Sequence, residues 1–270
     1  VSQDASRLQK TMQICLNEIK RCQALSPKPN FLILQGDRYG WIPIPEIIPF
    51  SEWQGVMKYL RPNELKLFET WYDLDENAVG GEYLLKPRDG EYLDYAKYAA
   101  DVENPLREIF RKVADFLPED RQKYYYASAT EQEIMAGLYE VEDAREHVML
   151  YSRHLINVPR SVAHVYDDSP KSLLGVFKKD NRQHTLRNQI SSFVGNKIEK
   201  ELHFDKLQSE EYAKEFEEKV YAMLENLVLR EIHAYSGISE MEAEREKNLE
   251  FIKSRTSFLI GRDSFVESLL

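Results

Sequence analysis

A chain of 270 residues with 43% apolar content is long enough for one large domain, with or without an extension, and can bury a sizeable core. Lys and Arg total 36 against 46 Asp and Glu, and the resulting net charge of -10 weighs against nucleic acid or an anionic membrane as the main partner, because phosphate surfaces are held by clustered cations. No apolar run approaches the roughly 20 residues of a membrane helix, and no signal peptide is visible.

Leu8, Met12, Cys15, Leu16, Ile19 and Cys22 recur at intervals of three and four, which predicts an amphipathic helix over residues 6–22. Cys15 and Cys22 would then stand about 10 Å apart along the helix axis, too far for a disulfide, and a chain of this length without one suits a reducing, cytoplasmic setting. After the breakers at 24–29, the apolar run 31–34 reads as a central parallel strand, followed by a turn flanked by Gly36 and Gly40. Pro43, Pro45 and Pro49 exclude a helix over 42–49 and predict an extended, partly buried loop.

Asn63 is placed to cap a helix over 64–73, and the Gly-, Asp- and Glu-rich stretch 74–90 reads as a long structured loop. Helices are predicted over 95–100 and 104–117, with Pro105 in the first turn of the second and Pro118 ending it. Thr130 and Glu133 have capping-box spacing for a helix reaching Tyr139, and 147–152 reads as a second core strand. Beyond it, helices are predicted over 170–194, 210–235 and 240–253. The alternation implies an α/β layer first and a helical appendage second.

Several phrases together carry a family resemblance. Thr11-Met12-Gln13-Ile14-Cys15-Leu16-Asn17-Glu18-Ile19, followed by Gly36-Asp37-Arg38-Tyr39-Gly40-Trp41, resembles the TIR-like N-terminal domain found ahead of NACHT and related STAND NTPases, including telomerase-associated-protein-like and nephrocystin-like chains. Trp71-Tyr72-Asp73-Leu74-Asp75-Glu76-Asn77-Ala78-Val79 and Glu82-Tyr83 through Pro87-Arg88 resemble motifs of its bacterial branch, and Ser128-Ala129-Thr130-Glu131-Gln132-Glu133-Ile134 resembles the Ser-x-Thr-Glu-x-Glu-Ile segment that follows them. The resemblance implies a TIR-like, flavodoxin-like α/β domain over 1–155, a parallel sheet with flanking helices whose first strand would precede Val1. It implies a helical extension or linker over 156–256. Ser257-Phe258-Leu259-Ile260-Gly261-Arg262-Asp263 resembles the opening of a STAND NTPase module, placed at 257–270. No Gly-x-x-x-x-Gly-Lys-[Ser/Thr] occurs, so no ATPase activity is expected from this segment.

Enzymes among TIR-like domains cleave NAD with a helix-borne glutamate in a Trp-Cys-x-x-Glu pattern, which Ile14-Cys15-Leu16-Asn17-Glu18 resembles except at Ile14. The resemblance implies Glu18 as catalytic carboxylate, NAD as substrate and no bound cofactor; a carboxylate there can stabilise an oxocarbenium-like sugar cation. Paired with Arg21 on the flank of its helix, Glu18 equally suits a solvated surface role. Asp37, Arg38, Tyr39 and Trp41 follow the carboxyl end of a core strand, the edge where open α/β sheets bind ligands, and Arg153 follows the second strand toward the same edge. They can clamp a phosphate and stack on a ring, or simply build a turn and cover the sheet edge. Glu133 already has a capping role, and Asp75, Glu76 and Asn77 match no calcium loop. The six histidines form no metal-ligand spacing.

Two functions follow. One is an effector domain of a defence-related STAND NTPase that acts on NAD when the protein assembles as a homo-oligomer. The other is a non-catalytic interaction module. The expected partner in both is the NTPase module following in the same chain, with no membrane and no direct nucleic-acid contact.

Overall fold

A computed structural model describes residues 3–166, 181–234 and 240–256. Where the periodicity predicts one opening helix there are two, α1 (Gln3–Arg7) and α2 (Thr11–Leu25), because Gln9 adopts φ 58° between them. Lys10 provides α2 with no side-chain cap. A carboxylate from 34 residues away serves instead: the Met12 and Gln13 N–H groups donate to Glu46 at 2.7 and 3.1 Å, meeting the positive end of the helix with a negative charge. β1 (Leu32–Gln35) follows as the apolar run predicts.

The segment after β1 forms a second hydrophobic core with its own sheet. The expected extended loop ends in a strand, β2 (Ile47–Pro49), and leads into α3 (Phe50–Val56). α4 runs Pro62–Trp71, with Pro62 in its first turn and the Arg61 N–H donating to Glu64 at 2.7 Å, so Asn63 lies inside the helix and is not its cap. The expected loop over 74–90 is largely a hairpin, β3 (Tyr72–Asp75) and β4 (Glu82–Leu85), turned by Gly80 and Gly81 at φ 87° and 74°. β4 lies between β2 and β3, antiparallel to both. Trp53 stacks on Phe68 at 3.4 Å and Phe68 on Tyr72 at 4.4 Å, and all three are buried. α5 (Tyr95–Tyr98) continues through a π-turn (Ala99–Glu103) into α6 (Asn104–Ala114), which inserts Phe110 and Val113 into this core; α7 (Glu119–Tyr126) adds Tyr125.

The chain then returns to the first sheet. α8 (Ala129–Ile134) is capped by Ser128, whose hydroxyl accepts the Glu131 N–H at 3.2 Å, so Thr130 is not the cap. A π-turn (Met135–Tyr139) and α9 (Ala144–His147) lead to β5 (Met149–Ile156), whose first four residues are all buried, as a central parallel strand requires. Beyond α10 (Ala163–Tyr166), α11 (Arg182–Phe193) crosses over to β6 (Asn196–His203). The strands run in the order β1-β5-β6, all parallel. The described fold is thus α/β, a three-stranded parallel sheet flanked by helices. Ile33, Leu150, Ile134, Leu138, Leu186 and Ile190 form its core.

Within 156–256, expected as a helical extension or linker, β6 adds an edge strand to the main sheet that its alternating charged residues had hidden. α12 (Glu210–Ala234) and α13 (Glu240–Thr256) match the remaining helices, and the Phe216 ring of α12 meets Tyr151 of β5 at 4.7 Å. Part of the helix expected over 170–194, and the phrase at 257–263, lie outside the described residues. No helix among the described residues is long and apolar enough to cross a membrane.

Candidate functional site

Beyond the carboxyl end of β1 the chain turns at 36–41 and opens a cleft of about 380 Å³ between that turn and α5–α6. Gly40, at φ 100°, lets the turn pass beside Ser128 and Thr130. Trp41 O accepts the Ala129 N–H at 2.8 Å, Tyr39 Oη accepts the Ser128 N–H at 3.3 Å, and the Tyr39 hydroxyl donates to Glu131. Burial and that carboxylate push the Tyr39 phenol well above its ordinary range, so Tyr39 stays neutral.

Glu103, at the end of the π-turn, is the floor of the cleft. Only 3% exposed, it accepts from Trp41 Nε1 at 3.0 Å and Tyr95 Oη at 3.0 Å and pairs with Arg107 at 3.1 Å, so the buried carboxylate is fully partnered. Burial, then Glu103, raises the Tyr95 phenol to about 12. Arg107 also donates to Ile42 O at 2.7 Å and Asn104 Oδ1 at 2.5 Å. Arg111 and Arg182 complete the rim; the Arg182 guanidinium lies 4.5 Å from the Tyr39 ring centroid.

Of the residues singled out in the sequence, Tyr39 and Trp41 meet in this cleft. Arg38 is exposed on the same turn. Asp37 points the other way, accepting from the Leu155 N–H at 2.8 Å, His154 Nδ1 at 2.6 Å and Arg187 at 2.9 Å. Arg187 also donates to Gly36 O at 2.8 Å and Arg153 O at 3.3 Å, so Asp37 and α11 tie the ends of β1 and β5 together. Arg153 and His154 lie within β5 and not after it; the Arg153 side chain lines a separate hollow beside Phe216 and Tyr212.

Glu18 lies in neither place. It lines a groove of about 620 Å³ between α2 and β1, which shares no lining residue with the cleft. Its carboxylate takes two hydrogen bonds from Arg21, at 2.9 and 2.6 Å, and these lower its pKa. The groove also contains Glu133, whose carboxyl is pushed up by burial beside Cys15. Glu103, Arg107, Arg111 and Arg182 carried no sequence signal beyond helix periodicity; Trp41 and Glu103 are 62 residues apart. Among the described residues, no group of three or more His, Cys, Asp or Glu side chains could hold a metal ion.

Comparison with known proteins adds a family context. The chain is 30% identical over 188 residues to NACHT domain- and WD repeat-containing protein 1 of Mus musculus, covering 62% of this chain and 12% of that protein. It is 29% identical over 167 residues to the protein of the same name from Homo sapiens, covering 58% and 10%. It is 28% identical over 181 residues to NACHT and WD repeat domain-containing protein 2 of Homo sapiens, covering 59% and 10%. The chain therefore spans about a tenth of the length of these curated relatives. No family model matches it, and no solved structure does.

Proposed function

We propose that this chain is a non-catalytic interaction module of a NACHT-type NTPase, in which it assembles as a homo-oligomer and docks against the NTPase module of its own chain. The relatives with NACHT domains in their names support the NTPase context. The observation that carries the non-catalytic reading is the setting of Glu18. An NAD-cleaving carboxylate needs a site that gathers the substrate's phosphates and rings around it. Glu18 is clamped by Arg21 on an open helix flank, and none of Asp37, Arg38, Tyr39, Trp41 and Arg153 lines its groove.

The test is nicotinamide release from NAD by the full-length, assembled protein and its Glu18→Gln variant. The interaction reading expects the same low or absent release from both. Release by the wild type that Glu18→Gln abolishes, with assembly intact, would establish the TIR-like NAD hydrolase instead and place its chemistry in the α2–β1 groove.

A further inference from the structure

Arg153 is a cation without a counterpart. Among the described residues its guanidinium makes no ion pair and no hydrogen bond, and Nε is shut off from solvent with no acceptor. A buried donor left unmade costs stability, and an acceptor brought by a ligand removes that cost. The guanidinium lies beside the carboxyl end of β1, where a Cβ on Gly36 would stand 3.7 Å from Nη2; this is the edge at which open parallel sheets take ligands. Around it is a hollow of about 380 Å³, within the range of small-molecule pockets, walled by Leu34, Tyr151, Leu207, Tyr212 and Phe216. Among the described residues no carboxylate lines it. Glu215, whose charge reaches Tyr151, is already held by Lys200 at 2.8 and 2.7 Å and by Lys219 at 2.7 Å, so it does not neutralise Arg153. Tyr151 Oη donates to Tyr212 Oη at 3.4 Å. Burial first, and that neighbour second, push the Tyr151 phenol well above its ordinary range while Arg153 acts in the opposite sense, so a neutral hydroxyl stands within the field of the guanidinium.

We propose that this hollow binds a small aromatic carboxylate, its anionic group on the Arg153 guanidinium and its ring against Leu207, Tyr212 and Phe216. A guanidinium fork matches the two oxygens of a carboxylate, and Arg153 has its donors free to do so. One guanidinium balances one negative charge. A phosphoryl group brings nearly two, which selects the carboxylate. The walls supply what a flat apolar body needs: the Phe216 ring meets Tyr151 edge-on at 4.7 Å, which fixes one side of the hollow, and Leu207 and Tyr212 offer further apolar area.

The experiment titrates the full-length protein into para-fluorobenzoate and follows the fluorine NMR line width. The uncharged para-fluorobenzamide and the dianionic para-fluorophenyl phosphate are the comparison ligands. Arg153→Gln removes the charge, and because the Arg153 guanidinium holds no other side chain its loss leaves the fold intact. Ala213→Leu fills the hollow from the first turn of α12 and leaves the charge in place. We expect saturable binding of the carboxylate, roughly tenfold weaker binding of the amide, weaker binding of the phosphate ester, and about a tenfold loss of carboxylate affinity in each variant. Equal affinity for acid and amide, or no binding of the acid, overturns the proposal, and so does unchanged affinity in Arg153→Gln. A loss in Arg153→Gln with none in Ala213→Leu puts the anion on the open surface and removes it from the hollow. Tighter binding of the phosphate ester that Arg153→Gln abolishes reassigns the site to a phosphorylated ligand.

Discussion

His147 shows how one buried side chain sets a pH response. It sits at the end of α9, 3% exposed, with Asp143 Oδ1 at 3.0 Å. That carboxylate is also paired with Lys28, so its charge is shared. Burial first, and repulsion by Lys28 second, push the His147 pKa below its ordinary value, and the fold holds the ring neutral. The unfolded chain takes up this proton as pH falls through ~6.5, before the folded one does. The contribution is therefore complete above that pH and is lost as pH falls toward the depressed folded value. Urea midpoints measured from pH 7.5 to 5 should fall more steeply for the wild type than for His147→Gln. Parallel curves would assign the acid sensitivity elsewhere.

At the scale of elements, legibility in the sequence followed how local the cause was. β1 was readable because 31–34 is an uninterrupted apolar run with breakers on both sides. β6 was not, because Asn196–His203 alternates charge with isolated Ile198 and Leu202, a pattern that only pairing with β5 turns into a strand. The α1–α2 break depends on one positive-φ residue, Gln9, which apolar spacing cannot reveal. The site divided in the same way. Tyr39 and Trp41 could be placed by their position after β1, whereas Glu103 and Arg182 arrive from distant helices. The capping of α2 belongs with the hidden features, since its acceptor is Glu46 and no neighbouring residue. Glu46→Ala leaves two first-turn N–H groups without their carboxylate, and we expect a loss of ~1–2 kcal/mol. Hydrogen exchange should localise it, with Met12 and Gln13 losing protection while β5 keeps its own. Unchanged protection at both amides would show that the first turn is held by other contacts.

Across the whole molecule, the two hydrophobic cores meet where the cleft lies. One is built on the parallel sheet and the other on the antiparallel one. Trp41 to Glu103 and Arg107 to Ile42 O are polar ties across the junction, and both run through the Glu103–Arg107 pair. Removing one member of a buried pair strands the other's charge, so Glu103→Ala should destabilise by ~3 kcal/mol. The loss need not fall evenly, because each core retains its own packing. The three tryptophans report on this directly: Trp53 and Trp71 lie in the antiparallel-sheet core and Trp41 at the junction, while none lies in the parallel sheet. Unfolding in urea followed by tryptophan fluorescence and by far-UV circular dichroism should coincide in the wild type, where the ties make the cores one cooperative unit. In Glu103→Ala the fluorescence transition should move to lower urea than the dichroism transition. If the two remain superimposed while both shift, the cores are coupled by apolar contact, and the polar junction serves the cleft alone.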